Sequence, residues 1–128
     1  MTSDDDQGWP DHFPPGCPAP SAPFAAGDVY RLVDASPPDP GSFESWLELR
    51  RGSGNDCQRA ALSCLTDLMH AIEQRKAYPT LASKLIAKAS LTNTHGRLAQ
   101  TGSKPHHYSL WLRREWLRKA PSLFTVVA

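Results

Sequence analysis

The sequence predicts a small single-domain α+β protein with an antiparallel sheet, two or three short helices and a proline-rich N-terminal arm. Nine of the twelve prolines lie in the first 40 residues. After them, β-branched and aromatic runs alternate with short amphipathic segments, and the second half changes to a period of two with short turns. Because 128 residues make one domain of ordinary size, we divide the chain into an arm, 1–27, and an α+β domain, 28–128.

The arm combines prolines with aromatic residues. Its prolines prevent it from continuing a helix or a sheet ladder. Trp9, Phe13 and Phe24 lie among them, and a wholly disordered segment rarely carries so many aromatic side chains. We therefore expect an extended arm docked in grooves of its own domain. Recognition of the arm by the aromatic groove of a partner is the alternative.

The first strand is predicted at 29–33, a β-branched and aromatic run that only Arg31 interrupts, which indicates a central strand. A proline loop follows, and Ser42 is then a good N-cap for a helix reaching residue 50. The apolar residues of that helix recur at helical spacing. A strand at 60–63 and a helix from Thr66 to about Ala77 complete the first half.

The second half predicts an antiparallel meander. Three period-two segments, 84–91, 97–101 and 106–112, are joined by two short turns. In the last of them His107, Ser109 and Trp111 share one face. A helical turn at 113–119 and an edge strand at 122–127 follow.

Charge is divided unevenly along the chain. Residues 1–56 carry ten acidic and three basic side chains, a balance of −7, whereas residues 57–128 carry three acidic and eleven basic, a balance of +8. Either the tail folds back on the body, or the basic half faces an anion. Solvated surface lysines and arginines would give the same pattern.

Cysteine usage and hydropathy indicate a cytoplasmic protein. Cys17, Cys57 and Cys64 are odd in number and lack the spacing of a disulfide framework. No apolar stretch is long enough to cross a bilayer, and the acidic start lacks the apolar region of a signal peptide. We expect a monomer or weak homo-oligomer with no membrane partner.

Motifs for metal or catalysis are absent from the sequence. No CxxC, HExxH or phosphate-loop pattern occurs, so neither a metal site nor a cofactor is predicted. A nucleophile would have to be Ser63 or Cys64, with His107 or His95 as base and a carboxylate such as that of Asp67. No nucleophile-elbow motif supports that combination.

The basic C-terminal half offers a second candidate surface. Between residues 76 and 128 there are nine Lys and Arg side chains and one acidic one. Trp111, Arg113 and Arg114 are the candidates there, since aromatic and basic side chains together bind single-stranded nucleic acid. The alternative is that Trp111 belongs to the core.

Arg31 is the candidate for binding a nucleotide. The segments YR at 30–31, SPPD at 36–39 and LSC at 62–64 resemble ADP-ribosyltransferase toxins of the cholera class. The resemblance implies that Arg31 holds the phosphates of a dinucleotide, with Ser63 on the following strand. The Glu-x-Glu motif expected near the C-terminus is missing. A buried arginine requires an anion or carbonyls, and a structural carboxylate such as that of Asp67 or Glu48 would also satisfy it.

A wider resemblance covers most of the chain. FPPGCP at 13–18, VYRLV at 29–33, LS at 62–63 and HH at 106–107 resemble a family of small bacterial proteins without an assigned activity. We predict a binding or interaction module whose basic C-terminal sheet is the contact surface. The competing predictions are a nucleotide-dependent enzyme, with Arg31 as phosphate clamp and His107 as acid or base, and a protein that binds single-stranded nucleic acid.

Overall fold

A six-stranded antiparallel sheet organises the chain in this computed structural model, which describes residues 8–52 and 54–128. The acidic start of the arm, 1–7, and Ser53 lie outside the described residues. The strands are β1 (Gly27–Val33), β2 (Leu62–Leu65), β3 (Leu85–Leu91), β4 (Gly96–Gln100), β5 (His107–Leu112) and β6 (Thr125–Val126). The described helices are α1 (Asp56–Ala60), α2 (Leu68–Ala77), α3 (Arg114–Arg118) and α4 (Ala120–Leu123). The predicted α+β class is confirmed.

β1 is a central strand, as its apolar sequence predicts. The order across the sheet is β4-β5-β2-β1-β3-β6. β1 pairs with β3 over its whole length, from Gly27 opposite Leu91 to Val33 opposite Leu85. With β2 it pairs at one position only, Tyr30 opposite Leu65. β1 and β2 therefore separate beyond that pair, and the opening between them positions the site described below.

The predicted meander is wrong in one of its two pairings. β4 and β5 form the expected hairpin, but β3 pairs with β1 instead of β4. The free edge of β4 is covered by the arm, through a bridge between Phe24 and Arg97 and a hydrogen bond from the Leu98 amide to the Pro23 carbonyl. Because β1 is buried and needs a partner on each side, β3 pairs there, and the arm protects the edge that it leaves.

The helix predicted from Ser42 to residue 50 does not form. A 3-10 turn, Pro40–Phe43, takes its place, with Asp39 as the N-cap and extended backbone at Glu44. Phe43 is buried, but the Trp46 side chain is 59% exposed. An amphipathic helix depends on burying its apolar face, and this segment has only one residue of that face in the core.

Two other element boundaries differ by a few residues from the predicted ones. The predicted strand at 60–63 is divided between the end of α1 and β2, and Asn55 caps α1 by accepting the Gln58 amide. Asp67, rather than Thr66, caps α2 by accepting the amides of Met69 and His70. Carboxylates at this position stabilise a helix N-terminus.

The arm lies on the domain, as predicted. Trp9 is buried in a cluster with Cys17, Ala22, Ala61 and Trp111. The arm is less extended than expected, because three backbone hydrogen bonds form turns within it: Phe13 to Pro10, Cys17 to Pro14 and Ala22 to Ala19. These turns let a short segment place several side chains on the sheet.

A disulfide joins the arm to the domain. Cys17 and Cys57 are bonded, with their Cα atoms 5.5 Å apart, although the three cysteines lack the spacing of a disulfide framework. Residue spacing could not reveal this pair, because the docking of the arm brings the two residues together. Disulfides are typical of oxidising compartments. This one weighs against the cytoplasmic location, which stays a prediction.

Candidate functional site

Arg31 occupies the opening between β1 and β2. Its side chain is half-buried; Nε donates to the Ser42 carbonyl at 2.9 Å and Nη1 to the Ser63 carbonyl at 2.8 Å. The predicted carboxylate partners, Asp67 and Glu48, do not pair with it. Within the described residues no carboxylate lies at ion-pair distance from Arg31. Burial lowers the pKa of Arg31, but a guanidinium stays charged at neutral pH.

Ser63 and His107 meet across the pairing of β2 with β5. Ser63 is opposite Ser109 in the register. His107 is two residues before Ser109 on β5, opposite Leu65, and its side chain is on the same face of the sheet. The His107 Nε2 atom is 3.1 Å from Ser63 Oγ. On the other side of the ring, Nδ1 is 3.3 Å from the Thr101 carbonyl and 3.2 Å from Thr101 Oγ1. In the Nδ1–H tautomer the ring donates to the Thr101 carbonyl and Nε2 accepts from the Ser63 hydroxyl. In the Nε2–H tautomer Nδ1 accepts from the Thr101 hydroxyl and Nε2 donates to Ser63 Oγ.

These side chains open into one surface depression of about 960 Å³, which we call the central groove. Its walls come from β1, β2 and β5, from residues in 41–51 and 54–59, from 78–84 and from the turn between β4 and β5. Among the described residues, five cationic side chains line it against two carboxylates, those of Asp34 and Glu44. The cationic residues are Arg31, Arg51, Arg59, Lys84 and Lys104.

Only some of these cations are neutralised by a neighbour. Lys84 pairs with Asp34, and Arg59 pairs with Asp56 at 2.9 Å. Lys104 donates to the hydroxyl of Tyr78 at 2.9 Å and has no carboxylate partner among the described residues. That hydrogen bond and the lysine charge lower the pKa of Tyr78. An excess of positive charge in a concave surface attracts anions.

The nucleic-acid candidates lie apart from the groove, under the arm. Trp111 is 6% exposed and its indole donates to the Cys57 carbonyl at 2.9 Å, so it belongs to the core. The Arg113 guanidinium lies 4.7 Å from the centre of the Trp9 ring. Arg114 binds the Trp9 carbonyl and pairs with Asp11 at 3.0 Å. The arm thus folds back on this part of the basic half.

His95 is also separate from the groove. It follows β3, where its Nδ1 accepts the Thr92 amide at 2.9 Å and its ring packs edge-on against Trp116. Burial lowers its pKa. Of the seven predicted site residues, the structure brings three together in the groove: Arg31, Ser63 and His107.

Cys64, the other predicted nucleophile, points away from solvent. It is 2% exposed in the main core cluster, and burial raises the pKa of its thiol to about 11. A thiol must ionise to react. Cys64 is therefore a core residue, and Ser63 is the accessible hydroxyl next to it.

The described residues show neither a cluster of metal ligands nor a membrane-spanning helix. No group of three or more His, Cys, Asp or Glu side chains in this part of the chain could hold a metal ion. Among the described helices, none has the length and apolar character to cross a membrane.

Comparisons with protein-family models, curated proteins and solved structures found no match to this chain. The two resemblances drawn from short motifs therefore stay predictions.

Sequence reasoning did not single out Lys104, Tyr78, Thr101 or Ser109, which make the polar contacts described above in the groove. Ser109 had a signal, because period-two alternation places it beside His107. Lys104 and Tyr78 come from a turn and a helix end, and their approach depends on tertiary structure.

Proposed function

We propose that this protein is a binding module for a small anionic ligand, which it holds in the central groove. The observation that carries the proposal is Arg31: a half-buried guanidinium at the groove wall, fixed by two carbonyls and without a carboxylate at ion-pair distance among the described residues. Partly buried charges are normally compensated. The Asp34 carboxylate acts on Arg31 only from beyond ion-pair distance, and a phosphate or carboxylate group of a ligand would compensate the charge in direct contact.

The groove favours a small ligand over a nucleic-acid strand. Arg31, Arg51 and Lys104 reach the groove from three different segments of the chain, and none of the three has a carboxylate partner among the described residues. Trp46 and Tyr78 are exposed aromatic side chains on the same lining. An aromatic ring beside cations suits a nucleotide base with its phosphates. Trp111 is buried and unavailable for stacking by a strand.

Binding can be tested by calorimetry and thermal unfolding with pyrophosphate, AMP, ADP and NAD at low salt. We expect pyrophosphate or a nucleotide to raise Tm by about 5 °C near saturation, with affinity falling as salt rises. Lys104→Met should weaken binding. Lys119→Met is the matched control, because Lys119 is an exposed lysine paired with Glu115 on α3, outside the groove lining.

Two results would contradict the proposal. One is the absence of binding by all four ligands at low salt. The other is equal weakening by Lys104→Met and Lys119→Met, which would place the anion elsewhere. If a nucleotide binds more tightly than pyrophosphate, we would infer that Trp46 or Tyr78 contacts the nucleotide base.

A further inference from the structure

We propose that Ser63 is a nucleophile activated by His107, and that the groove hydrolyses carboxylic esters whose acyl group carries a negative charge. This deepens the proposed function and rests on it for the choice of substrate. Ser63 is exposed, its Oγ lies 3.1 Å from His107 Nε2, and the pair lines the same groove as Arg31. Hydrogen-bond contact between a hydroxyl and an imidazole is the geometry that nucleophilic catalysis by serine requires.

The orientation of the imidazole is fixed from the other side. Catalysis requires the Nδ1–H tautomer, in which Nδ1 donates to the Thr101 carbonyl and Nε2 carries the lone pair that faces Ser63. In Ser-His-Asp enzymes a carboxylate performs this orienting role and also stabilises the imidazolium. The Thr101 carbonyl can orient the His107 ring, but it stabilises the imidazolium less than a carboxylate does, because it carries no full charge. We therefore expect slow turnover and an acyl-enzyme that accumulates.

Thr101 is also held in place. Its hydroxyl is 2.7 Å from Ser109 Oγ, and Ser109 is buried opposite Ser63 in the β2–β5 pairing. The ring of His107 thus contacts Ser63 of β2 through Nε2 and Thr101, the residue after β4, through Nδ1. Residues locked by such contacts keep a catalytic geometry better than residues on a free loop.

The reaction proceeds in two balanced steps. Ser63 Oγ attacks the ester carbonyl carbon and forms the Oγ–C bond, while its proton moves to His107 Nε2. The bond from that carbon to the leaving oxygen breaks, and the leaving alcohol takes the proton from His107. Water then attacks the acyl carbon, His107 receives its proton, the Oγ–C bond breaks, and Ser63 recovers the proton. The products are a carboxylic acid and an alcohol.

Positive charge next to the nucleophile explains the substrate class. Arg31 Nη1 is 2.8 Å from the carbonyl oxygen of Ser63 itself. Lys104, on the turn before His107, lines the same groove. A carboxylate on the acyl group would meet these cations and hold the ester near Ser63. The same charges favour the oxyanion that develops in the transition state.

The test uses two activated esters, the 4-nitrophenyl monoester of succinic acid and the neutral 4-nitrophenyl acetate. We expect a burst of nitrophenol with the succinyl ester and an acyl adduct that peptide mass spectrometry locates on Ser63. Ser63→Ala should remove the adduct and slow hydrolysis at least about 100-fold. His107→Gln should slow acylation similarly, because it removes the base that accepts the Ser63 proton.

Controls separate this proposal from a folding defect and from the proposed function. Ser122→Ala changes an exposed serine of α4 and should leave the rate unchanged. Ser63→Cys keeps a nucleophile and should still form an adduct. Absence of an adduct on Ser63 with both esters, while pyrophosphate still binds, would overturn the nucleophile and leave the anion site standing. Acylation of Ser63 equally by both esters, without pyrophosphate binding, would overturn the anion site and the preference for a charged acyl group, and would leave the nucleophile standing.

Discussion

Arg31 Nη1 donates to the Ser63 carbonyl at 2.8 Å, at the position where β1 and β2 stop pairing. The guanidinium supplies a donor that the neighbouring strand would supply in a continuous sheet. Nε satisfies the Ser42 carbonyl in the same way, so one side chain joins β1, β2 and the Pro40–Phe43 turn.

Replacing Arg31 should therefore destabilise the fold. Arg31→Met removes both hydrogen bonds and leaves two carbonyls without donors, for which we expect a loss of about 2 kcal/mol in the free energy of unfolding. Arg51→Met is the control, because Arg51 is exposed, and it should change stability by about 0.5 kcal/mol or less. Urea unfolding measures both. Equal values for the two variants would mean that Arg31 contributes nothing to holding the strands.

Trp111 tests whether the arm and the sheet share a core. Trp111→Ala removes a ring that is 6% exposed and packs with Trp9 and Ala61, so we expect a loss of about 3–5 kcal/mol. Trp46→Ala, on a side chain that is 59% exposed, should cost about 0.5 kcal/mol. A small loss at Trp111 with weakened nucleic-acid binding would restore the stacking interpretation.

Local sequence pattern was enough to predict several parts of this fold. A β-branched run identified β1 as central, and period-two alternation identified β3, the β4–β5 hairpin and the face shared by His107 and Ser109. These features depend on residues close together in the chain. They follow from propensity and from the alternation of side chains along a strand.

The features that the sequence did not predict depend on contacts between residues that are distant in the chain. β3 pairs with β1, which lies far earlier in the chain: Ser90 is opposite Asp28, 62 residues before it. The Ser63–His107 contact spans 44 residues and arises from the pairing of β2 with β5. Both residues were candidates, but no local pattern specifies which strands become neighbours.

The three cysteines should differ in a thiol assay. Cys64 is buried with a raised pKa, and Cys17 is bonded to Cys57. We expect no reaction with a disulfide reagent in the native protein, one reactive thiol after denaturation without reductant, and three after denaturation with reductant. Three thiols in the denatured, unreduced protein would contradict the disulfide. Rapid reaction of the native protein would contradict the burial of Cys64.

His95 should make stability depend on pH in the weakly acidic range. Burial lowers the pKa of His95 below its ordinary value of 6.5, so the unfolded chain binds its proton at a higher pH than the folded one. Stability is then complete above that value and falls as the pH decreases through the lowered pKa. The carboxyl groups with lowered pKa, those of Asp28, Asp39 and Glu115, act in a more acidic window.

The measurement compares His95→Asn with the unchanged protein by urea unfolding at roughly pH 7.5 and roughly pH 5. An asparagine oxygen can still accept the Thr92 amide, as His95 Nδ1 does, but it does not titrate. The other histidines are common to both proteins, so their contributions cancel in the comparison. We expect the variant to lose less stability between the two pH values. An equal or larger loss in the variant would show that His95 does not resist protonation in the folded state.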